Sequence, residues 1–197
     1  MSDLILPFMS YAIVTTFTPG PNNITASAHG MRLGYRRSLP WLLGVTLGFF
    51  SVMFASGLLT EFLVRAYAVI APWLRWIGVA YMIWLGVSLF VPHRGSADRK
   101  QGEATFISGF LLQFINPKGV LYGITVYTSF SALIAGSLSA VTASAIGLAS
   151  LGFSAVSLWA FTGATLARFL ANGRAKLSFN ILMALLLAWC AVSIAMH

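Results

Sequence analysis

Two short motifs place polar and helix-breaking residues inside long apolar stretches of this chain. The first is Thr18-Pro19-Gly20-Pro21-Asn22-Asn23, and the second is Gln113-Phe114-Ile115-Asn116-Pro117-Lys118-Gly119. A proline lacks the backbone donor and clashes with the preceding turn, so both motifs should interrupt a helix. The interruption separates backbone carbonyls from their helical partners, and in apolar surroundings those carbonyls need other donors.

The side chains of these motifs suit a zwitterionic ligand. A lysine beside a helix N-terminus favours a carboxylate, whereas freed carbonyls and amide side chains favour an ammonium group. The candidate substrate-binding residues are Asn22, Asn23, Gln113, Asn116 and Lys118, and the candidate hinge residues are Pro19, Gly20, Pro21 and Pro117.

The composition excludes an ordinary soluble domain. Of 197 residues, 58% are hydrophobic and only 8% are charged, whereas soluble domains are about 25% charged. Twelve Lys and Arg against four Asp and Glu give a net charge of +8. Because the cations lie between long apolar stretches, they favour a multi-pass membrane protein over a nucleic-acid-binding protein.

The apolar stretches predict an all-α fold with six transmembrane helices, since about 20 residues cross the hydrocarbon core. The uncharged stretch 119–167 is too long for one span, and we expect it to turn at the small-residue run Ala135-Gly136-Ser137. The predicted spans are Leu4–Ala28, Leu39–Thr60, Ala68–Val91, Thr105–Phe130, Leu138–Ala167 and Leu177–Met196.

The positions of the cations predict the orientation. Most of them fall in the first, third and fifth loops, which are therefore expected in the cytoplasm, with both termini in the periplasm. The loops are too short for a second domain, so residues 1–197 are expected to form a single transporter domain. The cations of these loops are Arg32, Arg36, Arg37, Arg94, Arg99, Lys100, Arg168, Arg174 and Lys176.

The two motifs occupy corresponding positions of an internal repeat. Phe8-Met9-Ser10 aligns with Phe106-Ile107-Ser108 at an offset of 98, and Pro19 and Pro117 follow at the same distance. With three spans in each half, about 1–96 and 97–197, the halves should insert with opposite orientations, as in inverted-repeat transporters. Spans one and four are then the broken helices of the two halves.

Three motifs carry a resemblance to a known family. They are Thr18-Pro19-Gly20-Pro21-Asn22-Asn23, Gly44-Val45-Thr46-Leu47-Gly48-Phe49 and Leu112-Gln113-Phe114-Ile115-Asn116-Pro117-Lys118. The chain resembles the lysine-exporter/homoserine-threonine-exporter (LysE/RhtB) family over its whole length. Within that family, the Pro-Gly-Pro-Asn-Asn run and the pattern from Leu112 to Gly123 are most similar to bacterial members that export cysteine and O-acetylserine.

The resemblance implies amino-acid export from the bacterial cytoplasm through the inner membrane, driven by the proton-motive force. No carboxylate lies inside a predicted span, so a cationic substrate would lack a fixed partner. We therefore predict a small neutral amino acid or derivative, such as cysteine, O-acetylserine, or a threonine-like or homoserine-like compound. For a proton relay the chain offers His29 and Lys118, while Arg75 is expected to be an interfacial anchor.

Other functions fit the residues less well. A heavy-metal cation exporter on a similar scaffold would need thiolates or carboxylates, but the spans contain one cysteine, Cys190, and no acid. A membrane enzyme would need a cysteine pair, a metal cluster or a serine with a base, and an assembly factor would not need broken helices. We therefore expect no enzymatic activity, no cofactor and no metal, while small-residue faces such as Gly44 and Gly48 permit a homodimer.

Overall fold

The computed structural model describes residues 2–60, 62, 69, 73, 76, 79–80, 82–84, 86–87, 104–134, 136–169 and 173–196. Every secondary-structure element within these ranges is a helix, which confirms the predicted all-α class. The third predicted span is described only at scattered helical positions, and Arg75 lies outside them. The helices are α1 (Ser2–Phe17), α2 (Pro21–Leu33), α3 (Tyr35–Leu58), α4 (Phe106–Ile115), α5 (Pro117–Ser129), α6 (Ser131–Ile134), α7 (Leu138–Phe169) and α8 (Gly173–Met196).

Both proline motifs break a helix, as the sequence predicts. Helix α1 ends at Phe17 and α2 begins at Pro21, while α4 ends at Ile115 and α5 begins at Pro117. A residue that precedes proline is driven out of the α region by contact with the proline ring. Accordingly, Gly20 (φ −176°, ψ 177°) and Asn116 (φ −79°, ψ 102°) are both extended.

Two helices are long and apolar enough to cross a membrane by length and composition, namely Tyr35–Leu58 and Leu138–Ala167. They match the second and fifth predicted spans. The apolar helices Asp3–Phe17 and Phe106–Ile115 are shorter because the breaks end them, and Leu177–Trp189 is a third short apolar stretch. The chain bends at Gly136 and Ser137 between α6 and α7, which confirms the predicted turn.

Glycines allow the central helices to approach closely. A Cβ on Gly30 of α2 would meet the carbonyl of Ala160, and one on Gly163 of α7 would meet the carbonyl of Ser27. The same relation holds between α3 and α4, where a Cβ on Gly44 would meet the carbonyl of Phe106. Gly44, which could have served a homodimer contact, therefore packs against α4 of its own chain, as small residues do in membrane helix pairs.

Helices α1 and α5 lie beside each other in antiparallel orientation. As residue numbers rise along α1, the numbers of their partners on α5 and just beyond it fall. The contacting pairs are Phe8 with Phe130, Tyr11 with Tyr122, and Thr18 with Lys118. The first half-helix of one broken helix thus packs against the second half-helix of the other.

Several polar side chains of the described residues are buried, while many large apolar side chains are exposed. Asn23, Gln113 and Asn116 are 4%, 1% and 2% exposed, whereas Leu6 and Ile107 are 75% and 66% exposed. A soluble protein seldom exposes so much apolar surface. The distribution is typical of a protein whose outer surface meets lipid.

The close glycine contacts between α2 and α7 generate a stability prediction. Gly30→Ala and Gly163→Ala should each lower the free energy of unfolding by about 1–3 kcal/mol, because a methyl group cannot fit against a rigid backbone carbonyl. The measurement is the thermal unfolding midpoint of the purified protein in detergent. Gly147→Ala is the control, since nothing lies within 4 Å of a Cβ at that position of α7; it should stabilise the helix by about 0.5–1 kcal/mol. Equal midpoints for all three variants would contradict the packing described here.

Candidate functional site

The carbonyl end of α1 is held by side chains from two other helices. Asn23 of α2 donates from Nδ2 to the carbonyls of Thr16 (2.9 Å) and Thr18 (2.8 Å). Trp159 of α7 donates from Nε1 to the carbonyl of Phe17 (3.2 Å). These bonds replace the helical partners that the proline motif removes, because the last carbonyls of a helix have no partner within it.

Lys118 supplies further donors to the same break. Its Nζ donates to the Thr18 carbonyl (3.0 Å), the Thr18 Oγ1 (3.0 Å) and the Pro19 carbonyl (3.3 Å). A Cβ on Gly20 would lie 2.8 Å from Lys118 Cδ and 3.0 Å from Nζ. The glycine therefore leaves the space through which the lysine reaches the carbonyls.

Three amide side chains join the two breaks. Asn22 donates from Nδ2 to Gln113 Oε1 (2.8 Å), and Gln113 donates from Nε2 to Asn22 Oδ1 (3.2 Å). Asn116 donates from Nδ2 to the same Asn22 Oδ1 (3.0 Å), while its own Oδ1 accepts from the backbone N–H of Lys118 (3.2 Å) and caps α5. Side chains from α2, from α4 and from the break before α5 therefore form one network across more than 90 residues of sequence.

A central cavity of about 50 Å³ lies between the two breaks. It has room for roughly four water molecules, so only a small solute can enter it. Gly20, Pro21 and Gly119 belong to its wall, together with the apolar side chains of Val45, Phe49 and Val156. Its polar lining consists of Thr15, Thr16, Asn22, Asn23, Thr46, Asn116, Lys118 and Tyr122.

The electrostatics of the central cavity favour an anionic group. The N-terminal ends of α2 and α5 both reach it, and Lys118 adds a full positive charge. Helix N-termini carry partial positive charge, and none of the described residues that line the cavity is Asp or Glu. Thr15 and Thr16, at the negative C-terminal end of α1, also line it. The wall thus contains groups that favour a carboxylate and a helix end that favours an ammonium group.

The structure brings all the sequence-predicted site residues to the two breaks. Asn22, Asn23, Asn116 and Lys118 line the central cavity, whereas Gln113 lies behind it and bonds to Asn22. The hinge candidates Pro19, Gly20, Pro21 and Pro117 flank the same breaks. The sequence predicts that carbonyls freed by the first break are open to a substrate ammonium. In the structure they already accept hydrogen bonds from this chain's own Asn23, Trp159 and Lys118.

Sequence reasoning missed several lining residues, chiefly Thr16, Thr46, Phe49 and Tyr122. Tyr122 could have been found, because it follows Lys118 by four positions and therefore shares its helix face. Thr46 and Phe49 lie in the Gly44–Phe49 run that carries the family resemblance, but nothing in that run indicates which side chains face a cavity.

The remaining candidates lie elsewhere. His29 is not part of the cavity lining; its ring packs edge-on against Trp41 at 5.0 Å between centroids, and its buried Nδ1 has no hydrogen-bond partner in the described part of the chain. The side chain of Cys190 is not among those described. Within the described ranges, no three His, Cys, Asp or Glu residues cluster as metal ligands would.

Comparisons with known proteins identify the family of the chain. The profile of the LysE type translocator family matches residues 13–197. The chain is 36% identical over 196 residues to the cysteine/O-acetylserine efflux proteins of Salmonella choleraesuis, Escherichia coli K12 and Shigella flexneri serotype 5b, covering 97% of each chain. The resemblance drawn from the three motifs is thereby confirmed. No solved structure matches the chain at a significant level.

The lysine contacts at the first break generate a second stability prediction. Lys118→Met keeps a long side chain but removes the donors to Thr18 and Pro19, so the free energy of unfolding should fall by about 1–3 kcal/mol. Thermal unfolding in detergent measures the change. Arg36→Met, at an exposed position of α3, is the control for loss of a cation and should unfold at the wild-type temperature. If Lys118→Met unfolded at the same temperature as its control, the hydrogen bonds of the Lys118 ammonium would not stabilise the protein.

Proposed function

Since the chain belongs to the LysE type translocator family, we propose that it exports small neutral amino acids from the cytoplasm through the bacterial inner membrane. The substrate class includes cysteine, O-acetylserine and threonine-like or homoserine-like compounds. Relatives of nearly the same length are cysteine/O-acetylserine efflux proteins. The observation that carries the proposal is the Lys118 ammonium in the wall of a small cavity whose described lining residues include no carboxylate.

The substrate carboxylate binds at the Lys118 side of the cavity. There it meets the lysine and the N-terminal ends of α2 and α5, which all favour a negative charge. The substrate ammonium faces the negative C-terminal end of α1, where Thr15 lines the cavity. The substrate carboxylate then pairs with Lys118, and neutral groups of the wall surround the substrate ammonium.

Binding of the carboxylate changes the partners of Lys118. In this structure its ammonium bonds to three neutral acceptors of the first break. A carboxylate is a stronger partner for an ammonium than a carbonyl or a hydroxyl, so the substrate draws Lys118 away from Thr18 and Pro19. The first break then loses its hydrogen bonds to Lys118. The half-helices reorient about a hinge formed by Pro19, Gly20, Pro21 and Pro117.

The cavity selects against cationic amino acids. A second ammonium or a guanidinium group in this small space would lie close to Lys118, and like charges repel strongly away from bulk water. No carboxylate of the lining could offset that repulsion. Lysine and arginine are therefore poor substrates.

The proposed carrier crosses the membrane six times as two inverted halves, with both termini in the periplasm. The antiparallel packing of α1 on α5 supports this topology, as do the cations in the odd-numbered loops and the exposed apolar side chains. The proton-motive force drives export, as the family resemblance implies, and two copies of the chain can associate as a homodimer.

Counterflow in proteoliposomes tests the proposal. Labelled cysteine, O-acetylserine, threonine and lysine are offered in parallel to vesicles loaded with the same unlabelled compound. We expect saturable uptake of the three neutral substrates and none of lysine, because of the charge on Lys118. Lys118→Ala should abolish the uptake. Uptake of lysine alone, or normal uptake by Lys118→Ala, would refute the substrate assignment.

A glycine variant tests the part played by the lysine without removing it. The three atoms nearest to a Cβ at Gly20 all belong to the flexible side chain of Lys118, so Gly20→Ala should fold and should lose no more stability than Lys118→Met. The displaced ammonium should nevertheless lower transport severalfold, because binding depends on its placement. Initial rates of counterflow give the measurement, with Gly147→Ala, at an open position of α7, as the matched control. Wild-type transport by Gly20→Ala would show that the lysine position does not matter.

A further inference from the structure

Two hydroxyl groups in the wall of the central cavity have no hydrogen-bond partner in the described part of the chain. They are the Oγ1 of Thr16 and the phenol of Tyr122, and both atoms are buried. Tyr122 as a residue is only 4% exposed. The two side chains are neighbours, yet they do not meet with hydrogen-bond geometry. Buried hydroxyls are normally bonded, so an unbonded pair on two residues that line a cavity points to a partner that arrives with a ligand.

The tyrosine is held firmly in this position. Its ring stacks on Tyr11 with 5.7 Å between centroids and a 17° interplanar angle, and it packs on Phe49 at 5.6 Å. Phe49 itself belongs to the cavity wall. Because aromatic neighbours fix the ring on two sides, the hydroxyl is directed before a ligand arrives, which reduces the entropy lost on binding.

The hydroxyl pair stands one helical turn away from the charged group. Tyr122 follows Lys118 by four residues on α5, a rise of about 6 Å along the axis, and Thr16 precedes the break that receives the lysine. A small amino acid with its carboxylate at Lys118 therefore extends its side chain towards Thr16 and Tyr122. An atom at the β or γ position of that side chain comes within reach of the hydroxyls.

Another tyrosine of the same helix shows the contrast. The hydroxyl of Tyr127 is bonded to Ser144 Oγ at 2.8 Å, and Tyr127 does not line the central cavity. Its hydrogen-bonding capacity is used within the fold. The unbonded state of Tyr122 is therefore specific to the cavity and is not common to the buried tyrosines of α5.

We propose that Thr16 and Tyr122 form a specificity subsite that hydrogen-bonds a polar atom in the substrate side chain. This inference rests on the proposed export of small neutral amino acids and narrows their class. Substrates with a hydroxyl, thiol or ester group near the β-carbon bond to the pair, whereas an apolar side chain of the same shape leaves both hydroxyls unbonded. Sites built to bond a substrate hydroxyl discriminate strongly against analogues that lack it.

Threonine and valine provide the test, because they have nearly the same shape and differ in one hydroxyl. Counterflow of the two labelled compounds is measured for wild type, Tyr122→Phe, Thr16→Val and Tyr127→Phe. The threonine-to-valine ratio of initial rates is compared within each variant, so it does not depend on how much protein is reconstituted.

Wild type should prefer threonine by about fivefold or more. Tyr122→Phe and Thr16→Val should each bring the ratio towards one by slowing threonine, with valine unchanged or faster, whereas Tyr127→Phe should keep the wild-type ratio. If Tyr122→Phe fails to reconstitute, Thr16→Val alone decides the outcome.

The subsite is overturned if wild type does not distinguish the two compounds, or if both cavity variants keep the wild-type ratio. Either of these results would leave amino-acid export itself intact. If wild type transported neither compound, nor cysteine or O-acetylserine, the proposed function would fail instead.

Discussion

The arrangement of this protein depends on the backbone carbonyls at the end of α1. The proline motif removes their helical donors, and buried carbonyls need other donors in their place. The replacements come from Asn23 of α2, Trp159 of α7 and Lys118 of α5. Because three helices must supply donors to one short segment, the requirement of a few carbonyls fixes the relative positions of α1, α2, α5 and α7, and with them the walls of the cavity.

The two helix breaks also bring positive charge together at the cavity. The Lys118 ammonium donates to the neutral carbonyls of Thr18 and Pro19 and lies in the wall of a cavity that the N-terminal ends of α2 and α5 also reach. None of the described residues that line this cavity is Asp or Glu. The positive charge of the lysine and the partial charges of the two helix ends therefore add in one place, which favours a negatively charged group there.

Local sterics explain what the sequence could predict. Proline acts on its immediate neighbours, so the breaks at Gly20 and Asn116 and the bend at Gly136 follow from short motifs. The sequence could also place the amide side chains of both motifs at one site, because polar residues beside broken helices are expected to face a shared cavity. In contrast, the bond from Trp159 to Phe17 spans 142 positions, and the cavity faces of Thr16 and Phe49 depend on how each helix is rotated in the bundle. Such long-range geometry leaves no trace in spacing or composition.

The lysine at the first break also bears on ion leakage. Backbone carbonyls that point to one place can coordinate dehydrated sodium or potassium ions, as in the selectivity filters of cation channels. Here the Thr18 and Pro19 carbonyls are already occupied by a covalently tethered ammonium. An alkali ion at this break would compete with the ammonium for both carbonyls and would meet a like charge. The tethered lysine therefore disfavours a sodium or potassium ion at the end of α1.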